Sequence, residues 1–375
     1  MPRLSVYHVL FPAAALWALV AVGLKAGASA GWLMVPGHWP VGWHGHELIF
    51  GFAFGVVGGY LLTRLRTPGT LVTLGTWILG RFATLGPAMP PGVSAAMALA
   101  FPLMLFLGAG LPLAKAAKKP RNRVFGPLLA GMGLAEVAYQ LGILGILPGG
   151  PASGLLLGAD LLGLLLFVMG GRFLATVASG LHQARGRWLV RLSQPRLEGA
   201  GVAALAAMAI LDFLAAAAGL RPQIPGLLAL LGAGLIACRL AGWQGWRLLK
   251  DPGITALQAG YLWLGLGLAF KGGGQLAGQG LSVVGIHVLL VGGLGTLTLT
   301  VMTRVIRNRQ GLRPSLSATG TMAAVLVSVA AVTRVAGWAG TDQTLWLGVA
   351  GVAWCLAWVL FLVELVRDTL FGHAS

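Results

Sequence analysis

The chain has 375 residues, 57% of them hydrophobic and only 9% charged, against roughly 25% charged in soluble domains. That balance excludes a water-soluble globular domain and intrinsic disorder, and two cysteines exclude a disulfide scaffold. The 59 glycines follow no G-X-Y period and sit inside apolar runs, which excludes collagen and fits close-packed membrane helices. A formal net charge of +17 would suggest nucleic acid in a soluble protein, so the placement of the cations has to decide its meaning.

A spanning helix needs about 20 mostly apolar residues. Runs bounded by Pro, Gly and charge predict an all-α polytopic membrane protein of 12 spans, read as one integral membrane domain over residues 1–375. The first six spans are expected near Val9–Ala28, His44–Leu65, Leu71–Gly86, Val93–Ala114, Val124–Leu147 and Ala152–Gly171. A basic connection over residues 172–199 follows. The second six are expected near Ala200–Leu220, Gly226–Trp246, Thr255–Lys271, Leu281–Arg304, Ser317–Gly337 and Leu345–Val366. Sustained two-residue alternation is missing, which argues against a β-barrel.

With the N-terminus inside, 21 of the 26 Lys and Arg residues fall in the cytoplasmic tails and loops or their helix ends. Lys25, Arg81, Arg221, Lys271 and Arg334 fall on the outer side. By the positive-inside rule both termini are expected in the cytoplasm. The net charge therefore reads as topology, and no nucleic-acid partner is implied.

Topology also sorts the seven histidines. His8, His182 and His373 fall near the cytoplasmic face. His38, His44 and His46 cluster where span two enters from the outside, and His287 lies about 9 Å into span ten, which enters from the same side. Neutral imidazole is a common metal ligand, and a polar group inside a span is costly unless paired or ligated. A bis-histidine haem takes one imidazole on each face of the ring, and His287 with either His44 or His46 would meet that need. The alternative is a histidine bonded to a neighbouring carbonyl. In His44-Gly45-His46 the two side chains point about 200° apart, so they would serve different sites or divide ligation and hydrogen bonding between them. His44 shares a face with Glu47, Gly51 and Gly55. That glycine stripe continues to Gly59 and would either admit a flat porphyrin or pack against another helix.

Trp43-His44-Gly45-His46-Glu47-Leu48-Ile49-Phe50-Gly51-Phe52 resembles the WHxHEMxFGF signature of the NnrS family. His287 with Val291-Gly292-Gly293-Leu294-Gly295-Thr296 and Val301-Met302-Thr303-Arg304-Val305 resembles the family's HxxxVGxxGTMxxxVMTRV block. Gly170-Gly171-Arg172 and Arg121-Asn122 match weaker family pieces, and the blocks extend the resemblance over nearly the whole chain. The resemblance implies a bacterial inner-membrane protein carrying haem b and copper, with a role in the response to nitric oxide and nitrosative stress. It makes His44, His46 and His287 the candidate haem axial ligands and Glu47 a catalytic candidate, with His38 a copper candidate. Span five departs from the family: where relatives often read LANLLFH, Gln140 stands for a histidine and Glu136 for an asparagine, which weighs against copper.

Arg81, Lys271 and Arg334 share the outer layer with the histidines and are candidate partners for haem propionates, or cations that snorkel to the interface. The intramembrane acids Glu136, Asp160, Asp212 and Glu364 are expected to pair, stay protonated or line a water path. Glu47, Glu136 and Asp160 are also conceivable proton donors. Three functions remain open: a haem protein that binds or converts nitric oxide or another small gas with an unidentified electron donor, a 12-span secondary transporter, and a non-catalytic haem or metal sensor.

Overall fold

The computed structural model describes residues 4–34, 39, 42–63, 65–85, 89–116, 122–186, 193–278, 280–340 and 342–371, without the side chains of 116, 370 and 371. His38 and the loop cations Arg64, Lys118, Lys119, Arg121, Arg187 and Arg191 lie outside them. The described residues form long helices and no strand.

Twelve rods follow one another along the chain. They are α1 (Val6–Ser29), α2 (residues 43–61), α3 (Thr67–Leu85), α4 (Pro91–Lys115), α5 (Phe125–Ile143) and α6 (Gly150–Ala184). The rest are α7 (Pro195–Ala218), α8 (Gln223–Trp243), α9 (Pro252–Ala277), α10 (Leu281–Arg309), α11 (Ala318–Ala339) and α12 (Gln343–Phe371). Among the described residues, 9 of these are long and apolar enough by composition to cross a membrane. The other three, α2, α3 and α5, carry more polar side chains: His44, His46 and Glu47, then five threonines and Arg81, then Glu136 and Gln140.

Contacts divide the chain into two compact units. The first comprises residues 1–162 and 213–220, the second residues 163–212 and 221–375. In the first, α1 packs on α2, α3 on α4, and α4 on α5. Helices α5 and α6 approach so closely that a Cβ on Gly154 would strike the backbone of Tyr139. In the second unit α8 packs on α9, α9 on α10, and α11 on α12. Gly267, Gly274 and Gly285 set the α9–α10 crossing, because a Cβ at Gly285 would collide with the backbone nitrogen of Lys271. Backbone contact through small residues is the usual means of joining helices where lipid supplies no hydrophobic drive.

The helix bounds near Arg172 and the surroundings of Arg239 differ from the sequence expectation. The span expected to close at Gly171 continues to Ala184, so much of the expected connection is helix. Arg172 does not end it, because Arg172 Nη2 is held by Glu198 Oε1 at 2.6 Å and no breaker comes before Gly186 (φ 68°). Arg239, expected at a helix end, lies four residues before the end of α8 and is buried, 2% exposed. Its guanidinium is boxed by Phe167, Trp243 and Tyr261, and Nη1 donates to Tyr261 Oη at 2.8 Å and to the Phe167 carbonyl at 3.0 Å. Gly171 leaves the room for it.

Two helices are built alike. The α-helical turn Trp43–His46 passes into a π-helical stretch, Glu47–Ala53, and Leu281–His287 passes into another, Val288–Leu294. Each widened segment begins directly after a histidine. Such π segments add a residue to the turn, re-aim the side chains beside them, and recur at functional sites.

Candidate functional site

In the first unit the three more polar helices and α1 converge on His46, which is fully buried together with Glu47 and Glu136. Its Nδ1 lies 2.8 Å from Glu47 Oε1, and its Nε2 lies 3.0 and 3.1 Å from the two oxygens of Glu136. Each ring nitrogen therefore faces a carboxylate, an arrangement that needs a proton in both contacts. Gln140, one turn on from Glu136, donates Nε2 to Glu136 Oε1 at 2.7 Å. The two departures from the family pattern in span five thus build one side of the His46 pocket. Tyr139 stacks on the imidazole at 4.4 Å between ring centroids, and its hydroxyl is buried without a hydrogen-bond partner.

Glu47 is held as tightly. Trp17 Nε1 donates to its Oε2 at 2.7 Å and Thr84 Oγ1 to its Oε1 at 2.8 Å, while Arg81 Nη1 stands 3.2 Å from Oε2. The Arg81 guanidinium lies between the rings of Trp17 and Trp77, about 6 Å from each, a cation–π range. Arg81 is thus an ion-pair partner of Glu47 inside α3, rather than a span-closing residue. Its Nε and Nη1 lack a hydrogen bond of good geometry, so the pairing with Glu47 is chiefly electrostatic. Two carboxylates, one arginine and a doubly bonded imidazole make a cluster that stays buried only because its charges offset each other.

The glycine stripe of α2 has its answer here. Gly51 faces Arg81 and Trp17, Gly55 faces Trp77 and Ala14, and Gly59 faces Phe11 and Leu10. From Gly51 to Gly59 the stripe is filled by side chains of α1 and α3. Trp77 Nε1 donates to the Gly51 carbonyl at 2.9 Å, inside the π turn. Trp17, Trp77 and Thr84 were not singled out in the sequence. Their only signal was position on apolar helices, which core and site residues share.

His44, on the same helical turn as His46, is half-buried.

His287, in the second unit, has different surroundings. It is half-buried, and its Nδ1 donates to the Val283 carbonyl one turn back at 2.8 Å. That bond fixes the tautomer in which Nε2 carries the lone pair. Arg334 Nη2 lies 3.4 Å from that Nε2, too long for a strong hydrogen bond. Lys271 is not at a span end either: it is fully buried within α9, with Nζ 2.7 Å from Asp212 Oδ2. Gln275 Nε2 donates to both oxygens of the same Asp212, at 2.8 and 3.0 Å. Arg307 pairs with Glu364 at 3.0 Å. Glu136, Asp212 and Glu364 are therefore paired acids, as the cost of a buried charge demands. Among the described residues no group of three His, Cys, Asp or Glu side chains has the arrangement of a metal site.

Among the described residues, twelve helices, 9 of them apolar enough to cross a membrane, and buried acids paired with basic or amide side chains define a polytopic all-α membrane protein. A family model described as NnrS protein matches residues 6–369, and the chain belongs to the NnrS family. No curated protein matches the sequence.

Proposed function

We propose that this NnrS-family protein is a haem-binding membrane protein of the nitric oxide response, with His287 as an axial ligand. The observation that supports the reading is the Nδ1–Val283 hydrogen bond. Histidines that ligate a metal commonly give their other ring N–H to a carbonyl or carboxylate, which orients the ring and raises its basicity. His287 fits the group on that count. His46 does not, since both of its nitrogens face carboxylates, and His44 is the remaining ligand candidate on α2. Copper is left out of the proposal, because its candidate ligand His38 lies outside the described residues.

A haem held by His287 would supply an iron that binds nitric oxide and a one-electron couple. The chain's own part is to orient the imidazole through Val283 and to set a cation beside it. Arg334 would leave Nε2 and turn to a propionate, with which a guanidinium forms charge-assisted bonds. Lys271 is committed to Asp212 and drops out of that role. The excess of 21 cations over 5 supports a cytoplasmic-membrane protein with both termini inside. A small apolar gas reaches such a site through the lipid.

The visible spectrum and pyridine haemochrome of the solubilised protein test this reading. A b-type signal that shifts with nitric oxide is expected, and His287→Ala should abolish at least one haem. A colourless preparation from haem-replete cells would overturn it, and His44→Ala read the same way decides the ligand from α2.

A further inference from the structure

A second polar site lies in the second unit, 16 residues further along α10 than His287 at its nearest lining residue, Thr303. Between α10 and α12 is a partly open cleft lined by Thr303, Ile306, Phe361, Glu364, Leu365 and Asp368, with room for roughly one water-sized guest. Its polar walls are incomplete. Glu364 is 2% exposed, yet its Oε2 has no hydrogen-bond partner. Thr303 is 4% exposed and its Oγ1 is likewise unpartnered. On the same helix Thr298 and Thr300 each donate to the carbonyl four residues back at 2.7 Å, whereas Thr296 Oγ1, like Thr303 Oγ1, has no partner. Buried polar atoms without partners are rare and costly enough to call for an explanation.

The charges are also out of balance. Arg307 bonds Glu364 Oε1 at 3.0 Å and stands 3.6 Å from Asp368 Oδ2, so one guanidinium serves two nearly buried carboxylates. Arg367 reaches Asp368 Oδ1 only at 3.9 Å and is half exposed, where water screens it. On the other side, α11 brings Gly320, whose missing Cβ lets Glu364 Oε2 approach to 2.5 Å from the position a Cβ would take. No N–H of that helix bonds the oxygen.

We propose that Glu364, Asp368 and Thr303 bind one monovalent cation through oxygen donors in the cleft between α10 and α12. Hard cations take carboxylate, hydroxyl and water oxygens. A single positive charge offsets what Arg307 leaves unbalanced, whereas a divalent ion would leave a buried excess of the opposite sign. Sodium is the probe of the right size for a one-water space. The site does not depend on haem.

The test is thermal unfolding of the solubilised full-length chain, followed by tryptophan fluorescence, as NaCl replaces choline chloride at constant ionic strength. A saturable rise of about 2–4 °C is expected, as for a ligand that binds only the folded state. Glu364→Gln, which keeps the shape and removes the charge, should abolish the sodium dependence, and Thr303→Val should weaken it. Should either variant fail to fold, radioactive sodium bound to the wild type reads the site directly, with one ion per chain expected. Equal midpoints in both salts with no bound sodium would overturn the proposal, leaving the cleft to a water molecule or to a proton on Glu364.

Discussion

His46 and His287 stand at equivalent places in two helices, each the last residue before a π-helical stretch, and yet their surroundings are opposite. His46 is fully buried between Glu47 and Glu136. His287 is half-buried, tied to its own helix by one nitrogen and faced across 3.4 Å by a cation. The difference lies in what the neighbouring helices bring. Around His46, α3 and α5 supply Arg81, Thr84, Glu136 and Gln140, and each is engaged. Around His287, α11 supplies Arg334. A shared local motif thus sits in a buried charge cluster in one unit and carries a half-buried imidazole tied to its own helix in the other.

Substitutions can break or sharpen that contrast. The largest effect is expected from His46→Ala, which strands two buried carboxylates and should cost about 3–5 kcal/mol of stability, the range for removing one partner of a buried ion pair. Chemical unfolding in detergent measures it, and a loss below about 1 kcal/mol would mean the cluster is solvated. Gly51→Ala comes next. Its Cβ would press on Arg81 and Trp17, costing about 1–3 kcal/mol by overpacking and disturbing the Glu47 ion pair. His287→Ala should cost only about 1 kcal/mol of apoprotein stability, the worth of one side-chain hydrogen bond. If it destabilises the apoprotein as much as His46→Ala, the two histidines are not different in kind. The smallest effect belongs to Tyr139→Phe, which removes a buried hydroxyl that has no partner and keeps the ring stacked on His46. Stability should change by less than about 0.5 kcal/mol or rise slightly.

Much of this was legible in the sequence. Twelve apolar runs predicted twelve helices, because a helix that satisfies its own backbone is the only open-ended structure lipid tolerates. The histidine blocks carried the family. Two spans expected to close beside a cation run on past it, α6 beyond Arg172 and α9 beyond Lys271. Arg81, Arg172, Arg239 and Lys271 all lie inside helices, each beside an acid or aromatic ring from another helix. A one-dimensional reading treats a cation as a stop, since it cannot see the partner that makes it affordable.

By itself, then, the sequence determined the class of protein, the number of helices and the family, since all three depend on composition and on residues close together in the chain. Tertiary structure decided what each polar residue does. It turned the glycine stripe into a seam for α1 and α3, and joined His46 to Glu136 across 90 positions. It committed Lys271 to Asp212 and set Arg334 3.4 Å from Nε2 of His287. The physical reason is that a charge in lipid is stable only through its partner, and that partner lies on another helix.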